Sequence, residues 1–224
     1  MKKTYLSVFM VILLSLSLVA CGGDQDEGAS ETQVEISEDE KYDEDEVIVT
    51  VNDDDVTGRT YNLVYSQLKL EASHTGQDLT EEEIKELTIE SLIDRQLLLQ
   101  EAEEVGIVVT EEEVAKELDK IKEENQEGID ILLEQYQITE DLLLHQLVYE
   151  FTYEEFIDQE IELELTKEDV EDAYEEMKKE NEDLPELTEM YDTFKKHLEQ
   201  MRKGEALRSR IEKLKDDARV ERHI

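Results

Sequence analysis

Apolar residues recur along this chain in two rhythms. Val47–Val51, VIVTV, is a β-branched run that predicts a strand. NDDDVTG then turns the chain, and from Thr57 onward the apolar spacing is helical. It predicts helices over 58–72, 81–104, 111–126, 128–136, 140–160, 167–181 and 187–217. Three of these starts carry a capping box: Thr80 with Glu83, Thr110 with Glu113, and Thr166 with Asp169. In each, the threonine oxygen can accept from an orphan N–H while the acid favours the positive helix end. Thr139 before Glu140 and Asp141 is a weaker start of the same kind.

Two helices stand out. In 81–104, Ile84, Leu87, Leu92, Ile93, Leu97, Leu98, Leu99 and Ala102, with Val105 just beyond, cover more than one face. A helix apolar on several sides is buried on several sides and organises the core. In 140–160, Leu144, Leu147, Val148 and Phe151 form one stripe, and Tyr149, Tyr153, Phe156 and Ile157 add more apolar surface than a stripe requires. Each residue alone reads as core packing; as a set they also suit the wall of an open groove for extended polypeptides. At the far end, DARVERHI places Ala218, Val220 and Ile224 on one face of an extended segment. That predicts a short strand pairing with Val47–Val51. The expected fold is mainly α: a multi-helix module with a small β pairing of its N- and C-terminal strands.

The first residues follow a different logic. Lys2 and Lys3 precede an apolar run that ends at Ala20, shorter than a spanning helix usually needs. The next residue, Cys21, is the chain's single cysteine. LVAC followed by GG resembles the lipobox of bacterial lipoproteins. The resemblance implies cleavage of a signal peptide at 1–20 and a lipid on the Cys21 thiol, anchoring the protein outside the cytoplasmic membrane. Residues 22–46 hold twelve acids and one lysine with few large apolar groups, a composition that predicts a disordered tether. A flexible chain of that length spans about 25–30 Å. The domains expected are therefore the signal, the lipidated Cys21 with its tether through residue 46, and a helical module over 47–224.

Without Lys2 and Lys3 the chain carries 63 acids against 21 bases. That argues against nucleic acid as a partner and against an electrostatic grip on anionic lipid. The acid is spread along the whole chain, which suits solvation in a salty or alkaline exterior better than one site attracting cationic clients. Catalytic and cofactor chemistry finds little footing. His74, His145, His197 and His223 do not pair at helical spacing, so no zinc site is suggested. Glu71-x-x-His74 has the spacing of a di-iron pair but lacks a second copy. Asp53, Asp55, Thr57 and Gly58 begin like a calcium loop, but the bidentate acid would fall at Val64. A turn with a helix cap is the better account of that segment. No cofactor is expected, and no nucleophile motif is present.

The stretch from Val47 to Met177 resembles the PrsA- and SurA-like extracytoplasmic foldases. The likeness rests on VIVTVNDDDVT as opening strand and turn, ESLIDRQLLLQEA as central helix, and GIVVTEEEV as the Gly-centred turn and capped helix after it. LLEQYQITEDLLLHQLVYEFTYEEFI and LTKEDVEDAYEEM continue it. NDDD stands where the family usually has Asn-Gly, so a wider or differently shaped turn is expected there. In that family a parvulin-type prolyl isomerase domain lies between the helix of Tyr174 and a returning C-terminal helix. Here only residues 178–193 fill the place, around Pro185, the chain's single proline. An independent domain needs upwards of about 50 residues. The resemblance thus implies an ATP-independent holding chaperone for unfolded secreted polypeptides, without enzymatic activity. Leu144, Leu147, Val148, Tyr149, Phe151, Tyr153, Phe156 and Ile157 would be its client contacts. The alternatives are a surface scaffold binding one specific partner and, disfavoured, a peptidyl-prolyl isomerase. A homodimer stays open.

Overall fold

The computed structural model describes residues 36–136, 138–181 and 184–224. A 3-10 turn at Glu38–Glu40 is followed by strands β1 (Val47–Val51) and β2 (Asp54–Thr57). Helices α1 (Gly58–Thr75), α2 (Glu81–Glu104), α3 (Glu111–Tyr136), α4 (Glu140–Glu160), α5 (Lys167–Glu180) and α6 (Leu187–Asp217) lead to β3 (Val220–Arg222). The fold is the mainly α one expected, with its small β pairing of the two ends.

The sheet has the order β2-β1-β3, with β1 antiparallel to both neighbours. Val51 stands opposite Val220 and Val49 opposite Arg222, so the last strand returns to the first. Ile48, Val49 and Val51 are fully buried. Of the three apolar residues expected on one face at the end, Ala218 and Ile224 pack on this core, while Val220 stays 37% exposed. β2 is a strand where only a turn was expected. Its sequence, DDVT, is too polar to read as one, and pairing with β1 overrides that propensity. The turn itself, Asn52–Asp53, is two residues long and no wider than an Asn-Gly turn. Only Asn52 takes a left-handed φ, of 57°, whereas a type I′ turn needs two such residues. The Asp side chains are held by neighbours rather than gathered as ligands. Arg219 donates to Asp53 (2.9 Å), Gln100 to Asp54 (2.6 Å) and Thr50 Oγ1 to Asp55 (2.7 Å). Thr57 is the N-cap of α1, but its side chain caps nothing.

The helices pair as α1 on α2, α3 on α4 and α5 on α6, and α2 also meets β1, α4 and α6. Four cap signals act as expected. Thr80, Thr110 and Thr166 accept from the third helical N–H and receive the acid in return, and Thr139 accepts from Leu142. The two helices expected over 111–126 and 128–136 form one element bent at Asn125 (φ −153°, ψ 66°). There the Asn125 side chain accepts from the Gly128 N–H and caps the second half. Gly106 closes α2 at φ 86°, the left-handed value the Gly-centred turn requires. Two residues expected in the α2 core lie outside it: Leu87 and Val105 are 42% and 40% exposed, on what its neighbours leave uncovered.

The expected tether holds a further correction. Residues 36–46 form a strap against α1. Ile36 and Tyr42 pack on the core of β1, α1 and α2, and the Tyr42 ring meets Tyr61 edge-on at 4.9 Å. Asn62 exchanges two hydrogen bonds with the Tyr42 backbone, at 3.0 and 2.8 Å. The remainder of the expected tether, the expected signal and Cys21 lie outside the described residues. The strap passes so close that a Cβ on Gly58 would stand 2.1 Å from the Asp43 carbonyl oxygen. Gly58→Ala is therefore expected to lift the strap and cost about 1–2 kcal/mol, because only a surface segment must move. Urea unfolding monitored by circular dichroism measures it, and an unchanged midpoint contradicts the packing described.

Candidate functional site

The apolar excess of α4 resolves into two faces. Leu143, Leu147 and Phe151 are buried against Val114, Leu118, Ile129 and Leu132 of α3, with Leu144 and Val148 partly buried at that seam. Phe156 is fully buried with Leu98, Ala102, Ile107 and Leu207, and Tyr149, Tyr153 and Ile157 are partly buried around it. α4 is thus sandwiched between α3 on one side and α2 with α6 on the other. None of the eight residues singled out in the sequence is exposed. Leu147, Phe151 and Phe156 are core, and the other five form half-buried edges.

Polar groups line the edge between α2 and α4. The Arg95 guanidinium stacks on the Tyr149 ring, 3.8 Å from its centroid, and donates to Gln146 Oε1 at 2.6 Å. Gln146 donates in turn to Glu150 at 2.6 Å. Burial pushes the Glu150 carboxyl up, with Arg95 and Gln146 opposing it, and pushes the Tyr149 hydroxyl up to about 12. One turn on, burial together with the neighbouring Asp158 and Glu150 carboxylates raises Glu154 to about 7. His145, reached by Thr60 Oγ1 at 3.3 Å, is pushed down by burial and by the charges of Arg59 and Arg95. Burial thus disfavours the charged forms of the acids and the histidine along this seam.

Two clefts open on the surface. One, of about 510 Å³, runs along α3 beside Val109, Lys116, Asp119 and Glu123, with Phe151 at its floor. Of the sequence-derived set, Phe151 lines this cleft; the polar wall of α3 gave no signal in the sequence. The other, of about 260 Å³, lies between α5 and α6. Met177 and Met201, which flank it, are the exposed apolar side chains there. Their helical spacing was legible, but which helices would face each other was not. Among the described residues, no three His, Cys, Asp or Glu side chains gather as a metal site, and no helix is long and apolar enough to cross a membrane.

α5 ends at Glu180 and α6 begins at Leu187, so six residues of sequence separate them. The Tyr174 hydroxyl donates to the Pro185 carbonyl at 2.7 Å, and its ring meets Phe194 edge-on at 5.8 Å. The two helices are stitched together directly across the proline.

Comparison with known proteins agrees with this architecture. The pattern of the SurA-like N-terminal domain family matches residues 1–157. The foldase protein PrsA of Caldanaerobacter subterraneus subsp. tengcongensis is 26% identical over 164 residues, covering 68% of this chain and 47% of the relative. The chain spans about half the length of that curated relative. The match runs through the capped starts of α2, α3 and α4, the Gly106 turn and most of α4, and ends before α5. The chain belongs to the SurA-like N-terminal domain family, and so to a group of chaperones and foldases.

Proposed function

We propose that this protein is a membrane-anchored, extracytoplasmic chaperone that holds unfolded secreted polypeptides without ATP and without covalent catalysis. The observation that carries the reading is the family match over the helical module. The relative named a foldase supports it. So does the separation of α5 and α6 by six residues of sequence, too few for an isomerase domain. LVAC at the end of the apolar N-terminal run supports the anchor, with Cys21 as the lipid site and residues 1–20 as the signal removed. Residues 22–35 then serve as the tether, and 36–224 as the module. Client contact falls to the half-buried edge residues of α4, Leu144, Val148, Tyr149, Tyr153 and Ile157.

The test is the aggregation of a denatured secreted enzyme. A soluble Cys21→Ser chain beginning at residue 21 is expected to suppress it at stoichiometric amounts without ATP. No suppression sinks the reading, and a pull-down returning one stoichiometric partner instead favours a surface scaffold. A proline-peptide assay is expected to show no rate change. In cells, Cys21→Ser is expected to shift the protein from the membrane fraction to the medium.

A further inference from the structure

The α5–α6 hairpin forms a core of its own. Val170, Tyr174, Phe194 and Leu198 are its buried residues, and α5 packs chiefly on α6. It also lies beyond residue 157, where the family match ends. On one side of this hairpin the helices part to leave the 260 Å³ cleft. Phe194 and Leu198 make its floor, and Ala173, Met177 and Met201 its walls. The two methionines are 36% and 44% exposed. Exposed methionines suit surfaces that take varied apolar side chains, because the thioether is flexible and polarisable. Small-molecule pockets usually run about 300–1,000 Å³ and are deeper. This cleft fits a few side chains of a longer polymer.

The charges around it set which polymer. Arg202 on the rim is taken by Glu205 at 3.1 Å, and Lys178, next to Met177 on α5, is held by Glu186 at 3.2 Å. His197 is the remaining basic group of the lining, and among the described residues none forms an ion pair with Glu176 beside Met177. Residues 167–205 as a whole carry fourteen carboxylates against seven lysines and arginines. An acidic rim on an apolar floor is complementary to a basic, apolar segment and repels an acidic one, a second copy of this chain included.

We infer that the α5–α6 cleft is a docking site for polypeptide segments in which a lysine or arginine is flanked by large apolar residues. The apolar side chains enter between Met177 and Met201, and the cation meets Glu176. This deepens the holding-chaperone reading and rests on it: the cleft is where a basic client segment is first caught.

The test uses the full chain in mild detergent, carrying ¹³C-methyl methionine. Of the five methionines, Met177 and Met201 flank the cleft and Met190 lies elsewhere on α6. A 12-residue peptide alternating Lys with Leu and Phe is expected to shift the Met177 and Met201 methyls and leave Met190 in place. Its Glu-for-Lys counterpart is expected to shift none. Glu176→Gln should weaken the basic peptide about two- to fivefold, the scale of an exposed ion pair. Met201→Glu, at a partly exposed site that tolerates charge, should weaken it at least about tenfold. Equal binding of the two peptides, wild-type affinity in Met201→Glu, or concentration-dependent shifts without peptide (a second copy in the cleft) would each overturn the inference. Suppression of aggregation that survives Met201→Glu removes the cleft while leaving the chaperone reading intact; absent suppression in the unaltered chain removes the latter.

Discussion

Phe156→Ala is expected to destabilise the protein by about 3–5 kcal/mol, the usual loss for a large aromatic truncated in a closed core. Phe156 is fully buried where α4 crosses α2 and α6, among Leu98, Ala102, Ile107 and Leu207. The Arg210 guanidinium lies 5.1 Å from its ring while pairing with Glu101 and, at 3.9 Å, with Glu160. Removing the ring opens a cavity and also takes away the surface on which that ion-pair network rests. Collapse is hindered, since α2 is held by β1 and α6 by the return of β3. Urea unfolding with an unchanged m-value measures the loss. Leu87→Ala, at a 42% exposed position of α2, is the comparison and is expected to stay within about 0.5 kcal/mol. A loss below about 1 kcal/mol at Phe156 contradicts the sandwiching of α4.

Element boundaries were legible in the sequence because the signals are local. A threonine followed three residues later by an acid, just ahead of an apolar-periodic run, favours a helix start through local bonds alone, and the three starts read that way are found where they were read. The Gly106 turn and the Val47–Val51 strand are local in the same sense. What escaped was decided by partners distant in sequence. β2 exists because Val56 and Asp54 have β1 opposite them, not because DDVT favours a strand. The strap looked like more tether because its two apolar anchors, Ile36 and Tyr42, are sparse among acids; α1 supplies the surface that makes two enough. The surplus apolar residues of α4 were visible as a set. Their use was ambiguous because one helix between two neighbours and one helix lining a groove have the same sequence pattern. The α5–α6 cleft depends on the pairing of two helices, and the short turn around Pro185 was the single clue to it.

The strap also gives the acid limb of stability a named origin. Glu40 is 7% exposed in a chain of 63 acids, and it is surrounded by donors. The Tyr65 hydroxyl reaches it at 2.6 Å, the Ser37 N–H at 2.7 Å, and the Lys69 amine pairs with it. Burial alone would raise its pKa, but the bonds from Lys69, Tyr65 and Ser37 outweigh that and hold it at about 2. In the unfolded chain a glutamate titrates near about 4.3. A folded pKa below the unfolded one stabilises the fold fully above the higher value, and the gain is lost as pH falls through the lower. Undiluted, a separation of this size is worth about 3 kcal/mol, and solvent around the strap reduces the expectation to about 1–2 kcal/mol. Glu40→Gln should therefore lose less stability than the unaltered protein between pH 5 and about 2, with the curves converging at the acid end. Glu40→Ala should cost about 1–3 kcal/mol at neutral pH, because the buried Tyr65 hydroxyl then loses its acceptor. Urea midpoints taken across that pH range decide it. Parallel curves for Glu40→Gln and the unaltered chain would mean that Glu40 titrates normally and that the strap is held by its apolar anchors alone.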